Sequence, residues 1–179
     1  MTVLPSTMLE YISSRDHRLM RRLNNWRAPQ WVRFWMVCAT RGGDGWLWYG
    51  VAFVIFLFGG VERFDALLSA GLAAATGALL FLIMKRKARR KRPCAIAEHC
   101  WATLLPPDQF SFPSGHSITA FSFAVSYALF YPTFMPVLLF CAASVAVSRI
   151  VLGMHFLSDV VVGSLLGTVL AYTSFLILN

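Results

Sequence analysis

Residues 66–84 read ALLSAGLAAATGALLFLIM, without a single charge, and residues 85–92 follow at once as KRKARRKR. An α-helix rises about 1.5 Å per residue, so such a run comes close to the roughly 20 apolar residues that cross a hydrocarbon core. A basic cluster at the end of the run falls where anionic headgroups lie. In a soluble chain KRKARRKR would pass as a nuclear localisation tract, but the apolar run in front of it assigns it to a membrane surface.

Comparable apolar runs occupy 46–61, 113–131, 134–152 and 157–178, with Pro132 and Pro136 marking a tight turn between the third and fourth spans. The 179-residue chain is 58% hydrophobic and 13% charged, one domain by length and far too apolar for a soluble one. The expected fold is all-α, a polytopic membrane helical bundle of about five transmembrane helices. Ala70, Ala74 and Gly77 in the second span, and Gly163 with Gly167 in the last, are small residues suited to close helix packing.

Residues 1–45 are expected to form an interfacial amphipathic N-terminal segment, and residues 46–179 the transmembrane core. Within the first, residues 7–24 are polar and basic with a sparse stripe of Leu9, Ile12, Leu19 and Leu23, as in a helix lying on the membrane. Trp31, Phe34, Trp35 and Met36 then give residues 31–40 an aromatic face for the headgroup boundary. Arg41-Gly42-Gly43-Asp44-Gly45 reads as a turn. Scattered arginines and the lack of a clean apolar stretch argue against a cleaved signal peptide.

The net charge of +8 is concentrated beside apolar runs rather than on a soluble face, so anionic lipid and phosphate are the expected partners and nucleic acid is not. Cys94, His99 and Cys100 lie close together, but their spacing matches no zinc site and supplies too few ligands. Cys38 and Cys141 sit in apolar surroundings and read as inert thiols. No metal and no cofactor are expected.

Three polar clusters interrupt this apolar chain: Lys85 with Arg92-Pro93, then Pro113-Ser114-Gly115-His116, then Ser148-Arg149 with His155 and Asp159. Lys85, Arg92 and Arg149 bring the positive charge that a phosphoryl group requires, lysine as a point charge and arginine as a planar fork. Arg86, Lys87, Arg89, Arg90 and Lys91 are expected to face headgroups or water. Pro113 and Gly115 suit a helix start, where free N–H groups bind anions, although Ser114 taken alone is simply a helix cap. His155 and Asp159, four residues apart, share a helical face, so the carboxylate can hold one ring nitrogen while the other faces a substrate. Two spans separate the second cluster from the third, and both long polar segments emerge on one side, so all three clusters meet at one membrane face.

The pattern Lys-x6-Arg-Pro, Pro-Ser-Gly-His, Ser-Arg-x5-His-x3-Asp resembles, without gap or substitution, the signature of the type 2 phosphatidic acid phosphatase (PAP2) family. The resemblance covers residues 85–159 and implies a metal-independent membrane lipid phosphatase. It implies that His155 attacks phosphorus to form a phosphohistidine, that His116 protonates the leaving alkoxide, and that Asp159 orients His155. It also implies that Lys85, Arg92, Ser114, Gly115 and Arg149 bind the phosphoryl oxygens. His17 and His99 match nothing in the signature, and Glu98 and His99 read as loop residues.

The signature serves phosphatidic acid, phosphatidylglycerol phosphate, polyprenyl diphosphates, lipid A, sphingoid phosphates and soluble sugar phosphates, and the bare helical core favours a phosphorylated lipid. A phosphotransferase using the same histidine, and a non-catalytic lipid-binding membrane protein, are the alternatives. The expected location is a bacterial inner membrane. Its site side is open: the arginine and lysine count points to the cytoplasm, whereas relatives usually face outward. The chain lacks a span that six-span relatives place before Gly42-Gly43, and a homodimer contact is one way to supply that packing surface.

Overall fold

The computed structural model describes residues 8–96 and 109–179. Its helices are α1 (Met8–Asn25), α2 (Gln30–Arg41), α3 (Leu47–Phe58), α4 (Arg63–Ala88), the short α5 (Pro93–Ile96), α6 (Gly115–Phe130), α7 (Met135–Val151) and α8 (Leu157–Leu178). Helix α6 stands at the centre, against α4, α7 and α8.

Small residues decide how near the neighbours of α6 come. A Cβ at Gly77 of α4 would lie 2.6 Å from Ile118 Cγ2, and one at Gly163 of α8 would lie 2.7 Å from the Ser114 carbonyl oxygen. At Gly167 it would run into the carbonyl oxygen of Ile118. Backbone oxygens cannot step aside as a side chain can, so Gly167→Ala must push α8 away from α6. The expected loss is about 1–3 kcal/mol, the usual cost of overpacking, read as a lower midpoint for thermal unfolding in detergent. An unchanged midpoint would show that the two helices are not in contact there.

Arg63–Ala88, Pro132–Val151 and Leu157–Leu178 are long and apolar enough to cross a bilayer. They expose Leu72, Leu79, Leu82, Phe140, Leu165 and Leu176, which water would penalise and lipid tails accept. Helices α3 and α6, at 12 and 16 residues, are shorter than a full span. Trp48 of α3 is buried and stacked on Phe123 of α6, with ring centroids 5.9 Å apart.

The glycine-rich stretch 41–45 interrupts the helix, as expected from sequence. Gly45, at φ 124°, is non-helical, so the chain kinks there between α2 and α3. Only glycine adopts that φ without strain. In α1 Ile12 is exposed and Leu19 and Leu23 are partly covered, while Asp16 and Met20 are buried. A buried carboxylate must be paired to persist, and Asp16 is held by Ser158 and Arg90. Helix α2 exposes Trp31 and Phe34, as a headgroup boundary requires, but turns Met36 and Thr40 inward towards α7.

Candidate active site

Helix α4 extends beyond its apolar run, so Lys85 lies in its last turn, where cations complement the helix dipole. Arg89 ends the helix in the left-handed conformation, and the chain then runs beside 110–111: Lys91 pairs with Phe110, and the Ser111 N–H donates to the Arg90 carbonyl at 2.8 Å. This pairing brings the arginines after α4 against the connection between α7 and α8. In that connection the N–H groups of Met154 and His155 both donate to the Arg149 carbonyl, each at 3.0 Å.

The result is a cavity of about 390 Å³ at one end of the bundle. Lys85, Arg92, Gly115, His116, Arg149 and His155 line it, six of the eight residues expected from sequence. Part of its wall is apolar, with Ala78 and Phe81 of α4 and Phe123 of α6. Lys85 Nζ sits 4.6 Å from the centre of the Phe81 ring. Arg92 and Arg149 are buried: Arg92 Nη1 donates to the Met154 carbonyl at 2.8 Å, and Arg149 Nη1 donates to Thr40 Oγ1 at 2.5 Å.

His155 departs from the expected arrangement. Its Nδ1 lies 2.6 Å from the carbonyl oxygen of Ser111, while the nearest oxygen of Asp159 is 3.8 Å away. A carbonyl oxygen can only accept, so Nδ1 carries the proton and Nε2 presents its lone pair. That Nε2 is 3.1 Å from Arg92 Nη1. Burial, aided by Arg92 and Arg149 and opposed by Asp159, lowers the His155 pKa to about 4. The imidazole is therefore neutral at pH 7, the form a nucleophile needs.

Asp159 is fully buried and contacts the ring less than it contacts its own helix start. One carboxylate oxygen accepts the Phe156 N–H at 2.8 Å, and the other meets Arg90 Nη1 at 2.7 Å. Arg90, expected to face headgroups or water, is thus part-buried and paired with buried carboxylates, and that expectation is corrected. Nothing in a run of seven basic residues and one alanine distinguishes Arg90; only the turn after α4 selects it.

Ser114 is not among the lining residues. It is buried as the N-cap of α6, with its hydroxyl 2.9 Å from Ser117 Oγ and its N–H donating to the Asp159 carbonyl at 3.1 Å. The first-turn N–H groups of α6, at Gly115 and His116, have no helical carbonyl to bond, which leaves them suited to an anion. His116 Nε2 lies 2.7 Å from Asp44 Oδ1, across from the kink between α2 and α3. Sequence reading passed over Asp44, although an acid at the edge of an apolar run is a functional signal in membranes. His17 packs its ring against Phe156 with centroids 5.1 Å apart. Glu98, His99 and Cys100 lie outside the described residues.

A helical bundle with three helices long and apolar enough to cross a bilayer, and a cationic cavity holding two histidines at one end, defines a class of membrane protein whose site suits an anionic group. The sequence pattern of the PAP2 superfamily matches residues 66–179, and the chain belongs to that superfamily. It is an integral membrane protein. It is 32% identical over 93 residues to a lipid A 1-phosphatase of Rhizobium etli, covering 50% of this chain and 40% of that protein. It is 40% identical over 104 residues to a decaprenylphosphoryl-5-phosphoribose phosphatase of Mycobacterium tuberculosis, covering 56% of this chain and 54% of that protein. The matches thus span about half the length of these curated relatives. The crystal structure of Aquifex aeolicus LpxE superposes with a TM-score of 0.74 at 26% identity, over 97% of this chain and 98% of that one.

Proposed function

We propose that this protein is a metal-independent membrane phosphatase that removes phosphate from a lipid headgroup through a phosphohistidine. The observation that carries the reading is His155 held at Nδ1 by the Ser111 carbonyl, with its Nε2 beside Arg92, in a cavity shared with Lys85 and Arg149. Preorganised cations stabilise the charge that spreads over the phosphoryl oxygens in the transition state. Lys85, Arg92 and Arg149 take that role, with the Gly115 N–H at the start of α6; Ser114 serves by capping that start.

In the first step His155 Nε2 forms a bond to phosphorus as the bond to the lipid oxygen breaks. His116 gives its proton to that oxygen, and the lipid alcohol, or the lipid monophosphate from a diphosphate, departs. In the second step water attacks phosphorus, His116 takes its proton, the N–P bond breaks, and inorganic phosphate leaves with His155 neutral again. Asp159, 3.8 Å from Nδ1, offsets the positive charge that the ring carries in the intermediate.

A lipid is the favoured substrate because cationic groups line the cavity together with apolar Ala78, Phe81 and Phe123, and because these two curated relatives bear the names of lipid phosphatases. In this reading α3 and α6 also traverse the membrane, making five crossings, α3 continuing from α2 through the kink and α6 enclosed by its neighbours.

Purified protein in detergent with excess chelator, offered phosphatidylglycerol phosphate, phosphatidic acid and a polyprenyl diphosphate, tests the reading. Free phosphate should be released from at least one, chelator should leave the rate unchanged, and vanadate should inhibit by mimicking five-coordinate phosphorus. Activity lost in chelator and restored by Mg²⁺ would overturn the mechanism.

A further inference from the structure

Arg90 is joined to three residues at once, and none of its contacts is with the cavity. Nη1 lies 2.7 Å from Asp159 Oδ1 and 2.7 Å from Ser158 Oγ, while Nη2 lies 2.7 Å from Asp16 Oδ2. The guanidinium carbon is 4.1 Å from the centre of the Phe156 ring, so the flat group also stacks on the residue next to His155. Asp16 binds the same segment from the other side, accepting the Ser158 N–H at 3.1 Å and the Ser158 hydroxyl at 2.5 Å. Asp159 completes the circuit by accepting the Phe156 N–H.

Every link except the Arg90–Asp16 pair ends on residues 156–159, directly after His155. The ring of His155 is held at Nδ1 by the Ser111 carbonyl, and Ser111 in turn bonds the Arg90 carbonyl. Arg90 therefore fixes both the backbone beside His155 and the strand-like segment that orients its ring. Asp16 and Asp159 are 4% and 0% exposed, and two buried carboxylates facing one region would repel each other without the guanidinium between them. A planar fork reaches both at once, which a lysine ammonium does not.

From these contacts we infer that Arg90 and Asp16 are positioning residues for His155: helix α1 acts as a clamp whose carboxylate, through Arg90 and Asp159, holds the attacking imidazole in line. The inference rests on the phosphatase reading above. It gives α1 a part in the chemistry, although α1 contributes nothing to the cavity wall.

The test compares Arg90→Ala, Arg90→Lys, Asp16→Asn and the double variant Asp16→Asn/Arg90→Ala in steady-state turnover of a lipid substrate cleaved by the wild type, with vanadate affinity measured on each. Misplacing an orienting group costs turnover rather than ground-state binding, so Arg90→Ala should lower kcat on the order of 100-fold with KM within about threefold, and vanadate, which mimics the five-coordinate transition state, should bind more weakly in step with kcat. Asp16→Asn, which keeps the shape but not the charge, should lower kcat about tenfold, and the double variant should be no worse than Arg90→Ala, because the two act through one path. Arg90→Lys should restore only part of the loss.

A raised KM with unchanged kcat would make Arg90 a headgroup ligand and overturn the inference. So would additive losses, which would separate Asp16 from Arg90, or wild-type kcat in Asp16→Asn. If Arg90→Ala fails to fold, Arg90→Lys and Asp16→Asn decide: reduced kcat at constant KM in both supports the clamp, and anything else overturns it. His155→Ala serves as the control. Should it retain turnover, the phosphatase mechanism itself fails; should it be inactive while the Arg90 and Asp16 variants are normal, the clamp alone fails.

Discussion

His155→Ala is expected to lower turnover on the order of 10⁵-fold, since loss of a nucleophile removes the covalent route and leaves only the binding contribution of the surrounding groups. The cavity should persist in this variant. The cations that shape it keep their own partners, Arg92 on the Met154 carbonyl and Arg149 on Thr40. Substrate should therefore still bind, with KM changed far less than kcat. Rapid quenching of the wild type with ³²P-labelled substrate should trap label that is stable in base and lost in acid, as a phosphohistidine requires, and the variant should trap none. Label mapped to any residue other than His155, or turnover near wild type, would remove His155 from the role.

His116→Ala should show a loss that depends on the leaving group. A lipid alkoxide is a poor leaving group and needs the proton, so its hydrolysis should fall on the order of 10³-fold, within the usual range for general acid catalysis. An aryl phosphate such as p-nitrophenyl phosphate departs without help, and its loss should be nearer tenfold. Asp44 lies 2.7 Å from His116 Nε2 and is the only acidic side chain that contacts it among the described residues. Asp44→Asn should follow the same pattern with smaller losses. Equal losses on both kinds of substrate would mean that His116 binds phosphate instead of donating a proton. The comparison is made at saturating substrate, so that weaker binding does not enter.

Much of the helical framework is legible in one dimension because lipid imposes a simple demand: each span must satisfy its backbone internally and face hydrocarbon. The runs at 66–84, 134–152 and 157–178 accordingly recur as α4, α7 and α8 within a few residues. Helix α4 overshoots its apolar run because Lys85, Arg86 and Lys87 are good helix formers and sit favourably at a C-terminus. The break at Gly45 is legible in the clustered glycines of 42–45, whereas how sharply the chain bends there depends on the helices packed against the two halves.

The sequence by itself determined a membrane-spanning helical protein and the order of three clusters whose residue types suit phosphate, because hydrophobic run length and residue chemistry are local properties. It also led to the expectation that the clusters share one end of the bundle, and the cavity holds six of the eight expected residues together. Partner choice was decided only in the tertiary structure. Which oxygen faces His155 Nδ1 depends on how 110–111 pairs with the chain after α4, and the Ser111 carbonyl lies nearer than Asp159 by more than an ångström. Which of the basic residues at 85–92 turns inward depends on the left-handed residue Arg89, which points Arg90 at Asp16 and Asp159. Asp16 lies 142 residues before the serine it binds, and Asp44 lies 72 residues before His116. Such contacts between chemically ordinary residues leave no periodic trace, since they arise from the folded path of the chain and not from any pattern along it.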